Sequence, residues 1–149
     1  MAATLYGVVG DAGVLGALRH PSMHPMQPLL HGLGLCHVRT QVAMDEPLAA
    51  LPVELPRLTE SVLGYVEVVS EQTPVIYVAR GGDDEAAAGW RGGRLELGPL
   101  RGPCGFRRVL LFRRREIRAV DAALGWLGVR GSDRVRAAGL AERLEWEPG

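Results

Sequence analysis

Three strand-like runs, a glycine-pair turn and a late change of hydrophobic period predict an α+β domain: a mainly antiparallel sheet with two C-terminal helices packed on one face. The runs are residues 74–79, 94–97 and 106–112, each rich in β-branched, leucine or aromatic side chains. Between the first two lies Trp90-Arg91-Gly92-Gly93-Arg94, whose adjacent glycines supply the positive φ angles that a two-residue hairpin turn demands. Strand alternation then puts Leu95 and Leu97 on a core face, with Arg94 and Glu96 on a wet one. After Phe112, Ile117, Val120, Leu124 and Leu127 recur at helical spacing and form one apolar stripe.

Taken from the N-terminus, residues 5–9 read as a short strand leading through Gly10 into a helix over 11–18, with Asp11 as N-cap. Gly7, Gly10, Gly13 and Gly16 fit neither the dinucleotide fingerprint nor a phosphate loop, and the chain has no lysine to complete the latter. Pro21, Pro25 and Pro28 forbid a continuous helix and leave an extended or turning loop. Residues 35–44 have the alternation of a strand. Around Leu48 and Leu51, residues 47–56 suggest a short helical turn stopped by Pro52. Residues 61–69 read as a strand that pairs, across the turn at 71–74, with the strand of 74–79. Gly128 ends the amphipathic helix, Trp126 falls off its apolar stripe, and Asp133 caps a last helix running through Leu140 and Leu144 to Trp146.

At 149 residues the chain fits one domain, residues 1–149, able to bury roughly two thirds of its unfolded surface without disulfide or metal. No stretch is long and apolar enough to span a bilayer. Residues 1–10 lack a basic leader, so the expectation is a cytoplasmic protein with no membrane partner. Cys36 and Cys104 lie outside any CxxC pattern and read as free buried thiols. All 17 basic residues are arginine. Residues 1–88 carry 4 Arg against 10 Asp plus Glu, a balance of −6, and residues 89–149 carry 13 against 7, a balance of +6. The simplest reading pairs these halves within one fold, and a homo-oligomer through the complementary halves is the intermolecular version.

Every histidine lies between His20 and His37, together with Met23, Met26 and Cys36. Imidazole, thioether and thiol suit copper, and His with Cys suits zinc. His20, His24, His31, Cys36 and His37 are therefore candidate ligands of the 20–37 loop. Against this, the prolines keep His20 and His24 off a shared helix face and no second compact ligand pair follows, so structural loop histidines are the simpler reading. The Arg-rich region 101–118 offers Arg107, Arg108, Arg113, Arg114, Arg115 and Arg118 to phosphates, with Trp90 or Trp126 to stack on bases. Arg107 and Arg108, adjacent in a strand, point to opposite faces and break up a single patch. For catalysis the signals are thin. Ser22, Ser61, Ser70 and Ser132 lie in no nucleophile elbow. Asp83-Asp84-Glu85 suits a divalent cation or merely a solvated loop. Cys104 among Arg101, Arg107 and Arg108, paired with a loop histidine, is the least implausible catalytic pair.

Tyr77, Gly81-Gly82, Ala86 to Trp90, and Gly93-Arg-Leu-Glu-Leu-Gly-Pro99 form a continuous pattern. It goes on through Ala123-Leu-Gly-Trp-Leu-Gly-Val129, Asp133, Gly139-Leu-Ala-Glu-Arg143 and Trp146. Together these residues, about half the chain, resemble a set of small bacterial proteins of unassigned function. Arg80 stands where that set has an aromatic residue, the spacing from the glycine pair to Trp90 is shorter, and residues 1–60 have no counterpart. Some proteins of this kind are suspected immunity or accessory proteins, and the resemblance implies no established activity. The expectation is a non-catalytic protein-binding module of immunity or accessory type that occludes a partner protein through Trp126, Arg113, Arg114, Arg115 and Trp90. The alternatives are a metal-binding protein using the 20–37 loop and a nucleic-acid-binding protein using 101–118.

Overall fold

The computed structural model describes residues 5–39, 46–51, 54–81, 84–103, 106–109, 112–115, 119–131 and 134–140. Its main sheet contains β1 (Leu5–Asp11), β2 (Gln27–Pro28), β3 (Leu33–His37), β4 (Val75–Gly81), β5 (Asp84–Arg91) and β6 (Arg94–Pro103). They lie in the order β2-β3-β1-β4-β5-β6 and every neighbouring pair is antiparallel. A separate two-stranded ribbon pairs β7 (Phe106–Val109) with β8 (Phe112–Arg115).

Helices cover both faces of the main sheet. In β4, Val75, Tyr77 and Ala79 join a core with Leu15 of α1 (Ala12–Ala17) and with Val62, Tyr65, Val66 and Val69 of α2 (Glu60–Ser70). Ile76 and Val78 join a second core with Val120, Ala123 and Leu124 of α3 (Ala119–Trp126) and Val135 of α4 (Arg134–Ala137). The unbroken apolar run of β4 follows from this, since alternate residues face two different apolar layers. The expected wet face of this sheet is therefore corrected to a second core face.

Several local signals act as the sequence implies. Asp11 caps α1, its carboxylate accepting from the Val14 amide at 3.1 Å. Gly92 and Gly93 have φ of 60° and 78°, and Arg91 pairs with Arg94 across them, as a tight hairpin requires. That turn docks on α2, where Ser70 takes the Gly92 amide on its carbonyl oxygen at 2.8 Å and the Gly93 amide on Oγ at 2.9 Å. Gly128, at φ 99°, closes α3: its amide donates to the Gly125 carbonyl, and the Val129 amide to that of Leu124, both at 3.0 Å. Val120 and Leu124 are buried and Leu127 packs against the same cluster, whereas Ile117 lies outside the described residues.

Four expectations are corrected. Residues 61–69 are helical, within α2, and do not pair with β4. Their buried members Val62, Tyr65, Val66 and Val69 repeat at the spacing of a helix face, and Thr59 caps the helix by accepting from the Val62 amide at 3.3 Å. Leu95 and Leu97 pack into different cores, because Trp90 pairs with Leu95 and Gly89 with Leu97. Glu96 is thus an extra residue in β6, and such a bulge reverses the alternation. The run 106–112 is divided between β7 and β8, and Arg113, Arg114 and Arg115 belong to β8; Leu110 and Leu111 lie outside the described residues. The described part of 47–56 forms no helix, and Leu48 instead bridges Thr59. Of the expected strand 35–44, residues 35–37 belong to β3, Val38 forms an isolated bridge with Met23, Arg39 is not in a strand, and 40–44, like Asp133, Leu144 and Trp146, lie outside the described residues.

Gly64 is an exposed position of α2 where an added Cβ meets nothing within 4 Å. Gly64→Ala is expected to raise stability by about 1 kcal/mol in urea unfolding, and Thr59→Ala to lower it by about 1 kcal/mol. Loss of stability in the first would contradict the helical assignment.

Candidate functional site

Of the two tryptophans first considered for partner contact, the structure gives Trp90 to the core. It is 2 % exposed, packed with the α2 side of the sheet, and unavailable for stacking on a partner. Trp126 is half-buried and turns toward the sheet, correcting the outward placement. Its ring lies against Gly89, where an added Cβ would be 2.7 Å from the indole. The Arg91 guanidinium covers it, 4.9 Å from the ring centroid, while also bonding Glu96 at 3.0 Å. Trp126 is thus only partly accessible, beneath an exposed cation.

The ribbon β7–β8 concentrates the basic residues. Its register sets Arg107 opposite Arg114, Arg108 opposite Arg113 and Phe106 opposite Arg115. The register thus sets arginine opposite arginine at two successive positions, a pairing that disfavours a strand pair. Neither strand contains an acidic residue. Arg118 lies outside the described residues.

The candidate metal ligands are dispersed. His20, His24 and Cys36 line one cavity of about 560 Å³ between α1, the proline loop, β3 and α2. His31 is exposed, held at φ 58° before β3, and lines a different hollow with Leu127 and Arg130. His37 ends β3, 1 % exposed, with its carbonyl accepting from the His24 amide at 2.7 Å. His20 Nδ1 accepts from the Ser22 amide at 3.0 Å, which leaves the proton of a neutral ring on Nε2 and no lone pair there for a metal. Among the described residues no group of three or more His, Cys, Asp or Glu is placed to hold a metal ion.

Within that cavity Tyr65 Oη and Cys36 Sγ are 3.7 Å apart, and the His20 ring lies 5.7 Å from that of Tyr65. Burial pushes the Cys36 thiol up and, with the neighbouring sulfur adding to it, pushes the Tyr65 phenol up as well. Burial, reinforced by Arg39, moves the His24 imidazole down. These shifts favour the neutral forms of Cys36, Tyr65 and His24, and Cys36 is a poor nucleophile. Cys104 lies outside the described residues.

A third cluster went unrecognised in the sequence. Glu85, read as part of an acidic loop, belongs to β5 and is 2 % exposed. It faces Arg80 across the β4–β5 pair, with Oε1 3.8 Å from the guanidinium Nε, and its Oε2 accepts the Val120 amide at 3.3 Å in the first turn of α3. The carboxylate ties sheet to helix, and its negative charge suits a helix N-terminus. This engagement replaces the divalent-cation reading for Glu85. Asp84 is exposed in β5, and Asp83 lies outside the described residues. Close to this strand pair, Tyr6, Pro56, Gly81, Ala86 and Arg101 line a cleft of about 380 Å³.

No protein-family model matches this chain, and no curated protein or solved structure is significantly similar to it. Among the described residues no helix is long and apolar enough to cross a membrane.

Glu85→Ala is expected to cost about 3 kcal/mol in chemical unfolding, because it strands the Arg80 charge and removes the acceptor at α3. Glu85→Gln, which keeps an acceptor for the Val120 amide, should cost less. At alkaline pH, Cys36, Tyr65 and Tyr77 act together, all three raised chiefly by burial. The unfolded chain releases these protons at the ordinary thiol and phenol values, about 8.5 and 10, while the folded chain retains them. Stability is then full below that range and falls as pH rises through it, and Tyr65→Phe should flatten the decline.

Proposed function

We propose that this chain is a non-catalytic protein-binding module that docks an acidic partner surface through the arginine ribbon β7–β8. The observation that carries the reading is the register of Arg107 with Arg114 and Arg108 with Arg113, in strands without a single carboxylate. Like charges directly opposed destabilise a strand pair, and an acidic counterpart relieves the repulsion. Trp126 beneath Arg91 adds an amphipathic edge in the same half of the chain. A bacterial immunity or accessory role, in which the module occludes its partner, fits a surface of this kind.

A polyanionic nucleic acid is the competing occupant. The arginine positions alternate between the two faces of the ribbon, which disfavours one continuous phosphate track, and residues 1–88 carry a balance of −6 that repels a long polyanion. A local acidic patch on a folded protein meets neither obstacle.

The test compares affinity capture from nuclease-treated extract by the wild-type chain and by the R107Q/R108Q/R113Q/R114Q variant. A protein that is retained by the wild type, released as salt rises from about 0.1 to 1 M, and not retained by the variant supports the reading. Retention of the same proteins by both chains contradicts it. Tight binding to a duplex oligonucleotide that the variant loses would move the assignment to nucleic acid.

A further inference from the structure

The cavity between α1, the proline loop, β3 and α2 has a second use that neither the ribbon nor a metal accounts for. Its volume, about 560 Å³, is in the range of small-molecule sites. The body is apolar: Leu15, Leu18, Met23 and Met26 line it. Met26 is let in by Gly34, where an added Cβ would come within 2.8 Å of its sulfur.

Beside the neutral His24 ring, the polar side chains around this body are donors and cations. His20 has its Nδ1 occupied by the Ser22 amide, so its Nε2 presents a hydrogen. Tyr65 is 5 % exposed, and its hydroxyl is partnered by the Cys36 sulfur at 3.7 Å. A thiol is a weak partner for a buried phenol, whose O–H remains a strong donor for anything better placed. Arg19 and Arg39, both exposed, stand at the rim, Arg39 anchored by its Nε to the Met23 carbonyl at 3.3 Å. No carboxylate is found among the described lining residues. Glu46 lies within electrostatic range of His20 but outside the lining, and an apolar chamber whose rim is cationic and whose walls carry donors and no carboxylate selects an apolar molecule ending in an anion.

We propose that this cavity binds a small monocarboxylate with an apolar body. The carboxylate sits toward Arg19 and Arg39, within reach of the His20 and Tyr65 donors, and the hydrocarbon lies against the methionines. This inference is independent of the arginine ribbon and stands or falls apart from it.

The probe is naphthylacetate, with naphthylethanol as the uncharged counterpart, each titrated into the full-length protein and followed by calorimetry and by ring-proton NMR. The expected result is saturable binding of the carboxylate at least about tenfold tighter than that of the alcohol, the scale of one charge-assisted contact. Tyr65→Phe, which removes only the hydroxyl, should weaken carboxylate binding several-fold. The R19Q/R39Q variant alters exposed residues and should erase the preference over the alcohol. Absence of saturable binding, equal affinity for acid and alcohol, or indifference of the acid to both variants would each overturn the proposal. Urea midpoints of the variants separate a lost site from a lost fold.

Discussion

The architecture depends on strand β4 being apolar on both of its faces. Val75, Ile76, Tyr77, Val78 and Ala79 are all buried, and a strand cannot place five consecutive residues in one core. Two helical layers are required, and each large side chain covered this way contributes about 1.5–3 kcal/mol. Other features adapt to that demand. On the α3 side strand β5 contributes Ala87 and Gly89, small residues that let α3 and its Trp126 approach closely. Glu85 then supplies what apolar contact cannot, a fixed acceptor for an amide in the first turn of α3.

Local chemistry of turns and caps was the most legible part of the sequence. Asp11, Gly92-Gly93 and Gly128 each act within a few residues, through a side-chain acceptor or a positive φ, and need no distant partner to be recognised. The helix α2 was misread because its valines favour strands, whereas the spacing of Val62, Tyr65, Val66 and Val69 follows a helix; period outweighed propensity once β4 offered a face to bury against. Strand β5 escaped notice for the opposite reason. Alanine and glycine have little strand preference, and only the pairing with β4 and β6 makes them one. The bulge at Glu96 was invisible for the same cause: register belongs to two strands, and the sequence shows one at a time.

Functional residues were legible as types and illegible as neighbours. The four histidines cluster in sequence, yet the chain reverses at Gly32 into β3, which carries His31 and His37 away from the wall where His20, His24 and Cys36 meet. Tyr65 came to that wall from α2, so misreading the helix also hid the phenol. By residue type Trp90 reads as able to stack on a partner. Its position in β5 decides otherwise, since it faces the α2 core with Leu95 opposite.

The arginine ribbon differs from everything else in the molecule. The six main strands share one hydrogen-bonded sheet, and β7 and β8 bond only to each other among the described residues. A lone pair of strands is marginally stable in water, and opposed arginines make this one poorer still. On the neighbouring hairpin Arg91 also stands opposite Arg94, but there Glu96, the bulge residue, forms an ion pair with Arg91 at 3.0 Å. The opposed register of the ribbon is the observation from which the acidic partner is proposed.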